Sequence, residues 1–329
     1  MLTHHILKKA ELNVGMAGNI GDSFALQVAN EDHDKYVLEL SSFQLDGIID
    51  FAPHIAVITN ISPDHLDRYD NKYENYINSK FRITMNQTAE DYLIYDVSGE
   101  LFIRKGLPIK GITYGIEEDA DYDAKNIRIE NGSYIFDIQT PSELFKNIEI
   151  NIPGRHNVLN TVVALAMANS YGVPLLTIAK ALKTFKGIQR RFNYKIKTDE
   201  LVLIDDYAHH PTEINAVAGA VKELFPSDKI LAVFQPHLFS RTRDFIDDFA
   251  DSLSKFDELI LLDIYPAREK PIEGVTSEWL LGKIESKKKQ ISTKENLISK
   301  IKASDARIIV MIGAGDIGVL IEEVYLSLK

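Results

Sequence analysis

The sequence predicts an α/β protein with two domains, the second of them built on a parallel, doubly wound sheet. The chain has 329 residues, more than one typical hydrophobic core accommodates. Strand-like and helix-like runs alternate along it, which is typical of parallel sheets whose strands are joined by helices. A new series of this alternation starts near residue 187. We therefore expect a first domain over residues 1–186 and a second over 187–329.

The first domain shows strands, helices and one hairpin. Helix-like runs are LTHHILKKAEL (2–12), SFALQVAN (23–30), KYENYINSKFRI (72–83), HNVLNTVVALAMANSYG (156–172) and LLTIAKALKTF (175–185). Strand-like runs are KYVLEL (35–40), HIAVITNI (54–61), DYLIYD (91–96) and IKGITYG (109–115). Asn131-Gly132 separates two alternating runs, which predicts a β-hairpin. Gly172 is a plausible helix stop.

The second domain alternates more regularly and predicts a doubly wound sheet. Its strand-like runs are YKIKTDELVLIDDY (194–207), KILAVFQPH (229–237), DELILLDIYP (257–266) and ARIIVMIGAG (306–315). Its helix-like runs are PTEINAVAGAVKELF (211–225), TRDFIDDFADSLSKF (242–256), TSEWLLGKIES (276–286) and IGVLIEEVYLSLK (317–329). We interpret SKKKQ (286–290) as a polar connector. GAGDIG (313–318) matches G-x-G-x-x-G, but no second strand follows it, so a tight turn is predicted rather than a dinucleotide site.

Composition limits the classes of function. The net charge of −11 disfavours non-specific binding to nucleic acid or to an anionic membrane. The chain has no Cys, which excludes disulfides and thiolate chemistry. The N-terminal residues lack the apolar region of a signal peptide, and no apolar run approaches a membrane span. We expect a cytoplasmic protein with no nucleic-acid or membrane partner.

Glu39, His65 and Lys80 are the first candidate site. Glu39 ends a predicted strand, His65 follows the next one, and Lys80 lies on the helix after that. Ligands of open α/β sheets bind at the carboxyl ends of strands, where a carboxylate and an imidazole could hold Mg²⁺ directly or through water. Taken singly, these residues are more typical of a capping Glu, a loop His and an exposed Lys. Their occurrence together on consecutive strand–loop units predicts a metal site.

DDYAHHPTE (205–213) is the second candidate site, because it places two Asp, two His and one Glu at the end of a strand. Its spacing fits no standard zinc motif. Two interpretations of the residues remain open, and the residues by themselves favour the first. One is a structural role, with a His or Asp capping the following helix. The other is a metal hydrolase built on Asp205, Asp206, His209, His210 and His237.

Motifs in the first hundred residues resemble the Mur ligases, the family that adds amino acids to the peptidoglycan precursor. GNIG (18–21), ELSSFQL (39–45), NISPDHLDRY (60–69) and SKFRI (79–83) are similar to the central domain of its D-glutamate-adding member. The resemblance implies that Glu39 and His65 help to bind magnesium. It also implies that Lys80 is carbamylated, which turns a cation into a carboxylate-like ligand.

Two further motifs extend this resemblance to nucleotide binding. GRHNVLN (154–160) is similar to a segment that contacts the adenine of ATP, which implicates His156, Asn157 and Asn160. GIQRRF (187–192) also matches the family, and we take Arg191 as the arginine that would reach the γ-phosphate.

The later motifs resemble the L-alanine-adding member. They are DDYAHHPTE, FQPHLFSRTRD (234–244) and YPAREKPIEGVTS (265–277). The resemblance implies that Asp206 and Tyr207 lie near the nucleotide, and that His209, His237 and Arg241 lie near the amino acid. A guanidinium suits an α-carboxylate because it can bond bidentately. Residues 1–96 thus resemble one member and residues from 101 onward another, with the change near DVSGELF (96–102).

The resemblance implies a central ATPase-type domain, with a parallel sheet and a small β-hairpin element, followed by a Rossmann-like C-terminal domain. It implies an ATP- and Mg²⁺-dependent ligase that joins L-alanine to a UDP-N-acetylmuramate-type substrate through an acyl phosphate. D-glutamate ligation is the alternative. The family's phosphate loop and UDP-binding domain have no counterpart in these 329 residues, so a non-catalytic remnant that still binds nucleotide is a further alternative.

Overall fold

In a computed structural model, which describes residues 1–21, 23–99 and 109–329, the chain forms two compact units. Unit 1 comprises residues 1–151 and 156–185, and unit 2 comprises residues 152–155 and 186–329. Residues 100–102, where the motifs change in resemblance, lie outside the described residues. Each unit is an α/β structure, as the sequence predicts, with two described sheets in unit 1 and one in unit 2.

Unit 1 contains eight described strands and six described α-helices. In chain order they are α1 (Leu2–Lys9), β1 (Val14–Gly18), α2 (Phe24–Asn30), β2 (Lys35–Glu39), α3 (Ser42–Asp46), β3 (Ile55–Ile58), α4 (Tyr73–Phe81), β4 (Tyr92–Asp96), β5 (Lys110–Ile116), β6 (Tyr122–Glu130), β7 (Ser133–Gln139), β8 (Leu144–Ile150), α5 (Arg155–Ser170) and α6 (Leu175–Lys183). Strands β1 and β2 form a parallel pair, and β3 to β8 form a six-stranded sheet in chain order.

The six-stranded sheet changes direction half-way across. Strands β3, β4, β5 and β6 pair in parallel, whereas β6, β7 and β8 pair antiparallel. The turn between β6 and β7 is formed by Asn131 at φ 53° and Gly132 at φ 80°. Two consecutive positive φ angles define the type I′ turn, which Asn-Gly favours. The predicted hairpin is therefore confirmed.

Helix α5 is the longest helix of unit 1 among the described residues and is largely buried. Val158, Val162 and Leu165 have no exposed surface, and the consecutive residues 161–166 are all buried. A helix that is apolar on every side lies inside a protein. Gly172 follows the helix with φ 97°, a left-handed conformation that glycine adopts without strain. This confirms it as the stop signal.

Unit 2 is a doubly wound sheet. Its elements are β9 (Asn193–Lys197), β10 (Val202–Asp206), α7 (Pro211–Leu224), β11 (Ile230–Phe234), α8 (Phe239–Asp244), α9 (Ile246–Leu253), β12 (Glu258–Leu261), α10 (Ser277–Lys283), β13 (Lys288–Ile291), α11 (Lys294–Lys302), β14 (Ile308–Ile312) and α12 (Ile317–Leu328). The strand order is β13-β12-β11-β14-β10-β9, and only β9 pairs antiparallel. One face packs on α7, α9 and α10, and the other on α11 and α12.

The interpretation of SKKKQ as a connector is wrong. Residues 288–291 form the edge strand β13, which pairs in parallel with β12. Its lysines make it look like a loop, but their ammonium groups have local partners: Lys288 Nζ donates to Glu258 Oε1 at 2.7 Å, and Lys289 Nζ donates to the Leu281 carbonyl at 2.9 Å. An edge strand needs only one apolar face, so lysines are tolerated there.

The run 194–207 contains two strands rather than one. Strands β9 and β10 are antiparallel and joined by a short turn. In that turn the Thr198 hydroxyl accepts from the Leu201 amide and the Thr198 amide donates to the Leu201 carbonyl, both at 3.0 Å. Threonine often closes turns in this way.

Among the helices described here, none is long and apolar enough to cross a membrane.

Candidate active site

The GNIG segment holds Glu39 at the carboxyl end of β2. The Asn19 amide donates to the Glu39 carbonyl at 2.7 Å, and Asn19 Nδ2 donates to Glu39 Oε1 at 3.2 Å. Gly18 lies so close that a Cβ there would be 2.2 Å from the Glu39 carbonyl oxygen. Glycine is therefore required at position 18, and the Glu39 carboxylate has a fixed neighbour.

His65 follows β3 in an unusual backbone conformation. Its φ of 53° is left-handed, which a non-glycine residue seldom adopts. The His65 amide donates to Asp64 Oδ1 at 2.9 Å, and His65 Nε2 lies 3.5 Å from Asp64 Oδ2. The imidazole packs edge-on against Phe43, with centroids 5.2 Å apart. These contacts determine the direction of the ring.

Lys80, on the last turn of α4, is partly buried close to two carboxylates. Burial lowers the pKa of Lys80, while the negative charges of Asp64 and Glu39 act in the opposite direction. A lowered pKa increases the share of neutral amine, the form that reacts with CO₂. The structure thus brings Lys80 near Glu39. It also adds Asp64, which the sequence analysis did not single out although it precedes His65 in the motif.

Within residues 1–21, 23–99 and 109–329, no three His, Cys, Asp or Glu side chains form a group that could hold a metal ion. Glu39 and His65 would offer a magnesium ion one carboxylate and one imidazole, and a carbamate on Lys80 would add a second anionic oxygen group. With that modification the donor set fits magnesium.

The residues implicated in adenine binding lie at the start of α5. His156, Asn157 and Asn160 are at helical positions i, i+1 and i+4, so His156 and Asn160 share a face. His156 and Asn160 are exposed, and Asn160 Nδ2 donates to Asn157 Oδ1 at 3.5 Å. The first turns of α5 therefore present polar side chains to solvent above a buried helix body.

Asp206, at the end of β10, uses its carboxylate inside unit 2. It accepts hydrogen bonds from the Phe192 amide at 2.7 Å and the Ala208 amide at 2.8 Å. The side chain is 5% exposed, and burial raises its pKa to about 6. Asp206 thereby ties the segment before β9 to the turn that carries Tyr207.

The two adjacent arginines have different environments. Arg190 Nη2 donates to the Gly313 carbonyl at 2.7 Å and Arg190 Nε to Asp205 Oδ1 at 3.3 Å. Arg191 is more exposed, and its Nη1 donates to Glu213 Oε1 at 3.2 Å. Both guanidiniums lie over the Tyr207 ring, 5.0 and 5.6 Å from its centroid. Arg190 is thus committed to internal bonds, which leaves Arg191 as the arginine better able to reach a ligand.

His209 is held by Tyr207 and Glu213. Its Nδ1 lies 2.9 Å from the Tyr207 carbonyl oxygen and 3.3 Å from Glu213 Oε2. Glu213 belongs to a capping box at the start of α7, where His210 is the N-cap. The pattern of a polar residue followed by Glu three positions later marks such caps in sequence, so Glu213 could have been singled out from that spacing.

His237 and Arg241 flank the carboxyl end of β11. The rings of His237 and His209 are 5.8 Å apart, and His237 stacks on Tyr265 at 5.6 Å. Burial, then the charges of His209 and Arg241, lower the pKa of His237 to about 4, so it is neutral at neutral pH. His237 Nδ1 has no hydrogen-bond partner among the described residues. The structure thus brings His209, His237 and Arg241 together. It also places Tyr265, which the sequence analysis did not select, against His237.

GAGDIG forms the tight turn that the sequence predicts. A Cβ on Gly315 would be 2.4 Å from Gln235 Oε1, and one on Gly318 would be 2.5 Å from the Arg190 guanidinium. Gln235 itself accepts from the Ile317 amide at 2.9 Å. These glycines allow the turn to approach its neighbours closely, which explains the motif without a dinucleotide.

The metal-hydrolase alternative finds no support in unit 2. Asp206 is bonded to two backbone amides and Asp205 to Arg190. His209 Nδ1 faces a carbonyl and a carboxylate. Among the described residues of unit 2, no three His, Cys, Asp or Glu side chains form a group that could hold a metal ion.

Two family models match the chain. The Mur ligase middle domain matches residues 1–168, and the Mur ligase glutamate ligase domain matches residues 190–315. The first covers half of the chain. The protein therefore belongs to the Mur ligase family, a family of ATP-dependent ligases.

Two of its most similar relatives are the same member of that family. The chain is 49% identical over 325 residues to UDP-N-acetylmuramate–L-alanine ligase of Christiangramia forsetii, covering 98% of this chain and 70% of the relative. It is 50% identical over 321 residues to the enzyme of the same name from Flavobacterium johnsoniae, covering 97% and 69%. Each of these relatives matches the chain on both sides of residues 96–102. The change of resemblance there therefore does not mean that the two parts come from two different ligases.

Solved structures share the fold. The UDP-N-acetylmuramate–alanine ligase MurC of Thermotoga maritima has a TM-score of 0.74 at 23% identity, over 100% of this chain and 72% of that one. MurF of the same organism, in complex with ADP, has a TM-score of 0.75 at 19% identity, over 99% and 75%.

Proposed function

We propose that this chain carries out the ATP- and Mg²⁺-dependent joining of L-alanine to UDP-N-acetylmuramate in the cytoplasm, as a step of peptidoglycan precursor synthesis. The observation that carries the proposal is the identity of about half of all residues, over nearly the whole chain, to ligases of that name. The motifs around Arg241 and His209 favour L-alanine over D-glutamate as the amino acid.

In this proposal residues 1–186 act as the ATP-binding domain. Glu39, His65 and carbamylated Lys80 would hold magnesium, and His156, Asn157 and Asn160 would contact the adenine. The lowered pKa of Lys80 and the fixed neighbour of Glu39 support the metal assignment. Magnesium would neutralise charge on the phosphates of ATP.

Residues 187–329 act as the amino-acid-binding domain. Tyr207 and Asp206 would serve the nucleotide, the latter by fixing the turn through its two backbone bonds. Arg191 would contact the γ-phosphate. Arg241 would bind the α-carboxylate of the amino acid, with His209 and His237 beside it.

The reaction follows from these groups. The carboxylate of the muramate substrate attacks the γ-phosphorus of ATP, giving an acyl phosphate and ADP. The amine of L-alanine then attacks the acyl carbon, and phosphate leaves. Arg191 stabilises charge on the transferred group, and Arg241 orients the amine by holding the carboxylate.

The test is product formation by the purified chain with ATP, Mg²⁺, UDP-N-acetylmuramate and either L-alanine or D-glutamate, followed by mass spectrometry and phosphate release. We expect product with L-alanine. Product with D-glutamate alone would reassign the amino acid. ATP binding by calorimetry without any product would identify a nucleotide-binding remnant, and neither binding nor product would refute the proposal.

Arg241 gives the sharper test. Arg241→Ala removes a charged, bidentate contact worth about 1.5–3 kcal/mol, so the KM for L-alanine should rise by roughly 10- to 150-fold while that for ATP changes little. Arg243→Ala is the matched control, because Arg243 lies on the same helix and pairs with Asp244. Equal KM values in the two variants would contradict the role of Arg241.

A further inference from the structure

Glu213 contacts two groups that the proposed function uses separately. Its Oε1 accepts from Arg191 Nη1 at 3.2 Å, and its Oε2 lies 3.3 Å from His209 Nδ1. One carboxylate therefore joins the arginine proposed for the γ-phosphate to the histidine proposed for the amino acid. All three residues belong to unit 2.

The carboxylate is fixed in place. Its Oε2 accepts from the His209 amide at 2.8 Å and from the His210 amide at 3.3 Å, at the N-terminus of the 14-residue helix α7. Burial alone would raise the pKa of Glu213, but the charges of His209 and Arg191 and the His209 amide outweigh it and lower the pKa. Glu213 is thus a stationary negative charge rather than a mobile surface group.

The surroundings of His209 select one tautomer. Nδ1 faces the Tyr207 carbonyl at 2.9 Å and the Glu213 carboxylate at 3.3 Å. Both are acceptors without a proton to donate, so Nδ1 must carry the hydrogen. In the neutral ring the lone pair is then on Nε2.

We infer that Glu213 is a positioning residue that orients His209 so that Nε2 acts as the base for the incoming amino acid. The amine can attack the acyl carbon only after it loses a proton. An N–H bond of the α-ammonium breaks, its electron pair stays on nitrogen, and the proton forms a bond to His209 Nε2. The resulting imidazolium is stabilised by the adjacent Glu213 carboxylate. This inference rests on the proposed function for the identity of the amine.

The experiment compares Glu213→Gln, Glu213→Ala and the control Glu223→Gln in the purified chain. Glutamine also serves in a capping box, so Glu213→Gln should keep the melting temperature near that of the wild type, whereas Glu213→Ala should lower it. Without the carboxylate, kcat should fall on the order of 100-fold in both variants. Glu223 is exposed near the far end of α7, so Glu223→Gln should keep the melting temperature and the kcat of the wild type.

A double variant separates the roles. If Glu213 acts through His209, then His209→Ala combined with Glu213→Gln should lose no more kcat than His209→Ala alone. Additive losses would show that Glu213 affects turnover by a route other than His209, and a wild-type kcat in Glu213→Gln would reduce Glu213 to a helix cap. Either result would overturn the inference.

A second readout does not require turnover. The imidazole ¹⁵N spectrum of the wild type should show the protonated nitrogen of His209 at Nδ1, and Glu213→Gln should weaken that preference. A dominant Nε2–H tautomer in the wild type would refute the inference. Absence of product with every amino acid, together with the expected spectrum, would instead count against the proposed function alone.

Discussion

Replacement of Asp206 by Asn should change how the stability of the protein depends on pH. Burial raises the pKa of Asp206 from 3.8 to about 6, so the folded chain keeps a proton that the unfolded chain has lost. The resulting stabilisation is complete below about pH 4 and is lost as pH rises through about 6. For these two pKa values the contribution is about 1 kcal/mol larger at pH 5 than at pH 7.

Asp206→Asn also has an effect that does not depend on pH. The amide offers one acceptor oxygen to the two backbone amides of Phe192 and Ala208, and the unpaired amide costs about 1–3 kcal/mol. The difference in unfolding free energy between wild type and variant should therefore have a constant part and a part that falls by about 1 kcal/mol from pH 5 to pH 7.

Urea denaturation followed by circular dichroism at both pH values measures this difference. Asp257→Asn is the control, because Asp257 accepts from the Ile230 amide at 2.9 Å in an exposed position. A difference between wild type and Asp206→Asn that is the same at pH 5 and pH 7 would show that the carboxylate is not held protonated, and the burial argument would be refuted.

Two further substitutions test the turn after β14 and the modification of Lys80. Gly315→Ala should lower the unfolding free energy by about 1–3 kcal/mol, because its Cβ would be 2.4 Å from Gln235 Oε1. Gly282 has open space around it, so Gly282→Ala should not lower the unfolding free energy. Equal urea midpoints for the two variants would contradict the close approach at Gly315. With ¹³C-bicarbonate, we expect a carbamate resonance from Lys80, whose pKa is lowered by burial. It should vanish in Lys80→Arg and persist in Lys72→Arg; persistence in both would reject carbamylation of Lys80.

Most of the fold could be predicted from sequence because strongly patterned segments dominate it. The strands of unit 2 are buried apolar runs, and the helices between them carry apolar residues at helical spacing. The segments that escaped prediction lack these patterns. Strand β1 consists of VGMAG, whose glycines and alanine have little β-propensity, and α11 (KENLISKIK) buries only Leu297 and Ile301. Such elements form because a neighbouring strand or sheet face is available.

Sequence analysis could select candidate site residues within a single motif, but it could not predict contacts between different motifs. Glu39 and His65 stand in recognisable motifs. Asp64 was not singled out, because its role is visible only in the structure, where its negative charge counters the lowering of the Lys80 pKa by burial. Tyr265 reaches His237 only because β11 and β12 are neighbours. Contacts between residues far apart in sequence depend on strand order, which no local pattern specifies.

The lysines of β13 have a consequence for the behaviour of the protein in solution. The outer edge of β13 carries backbone groups that no strand of unit 2 covers, and an uncovered edge can recruit a strand from a second molecule. Lysine in an edge strand disfavours such pairing, and β13 begins with Lys288 and Lys289. The same residues that make the segment resemble a connector therefore oppose the growth of the sheet from one molecule to the next.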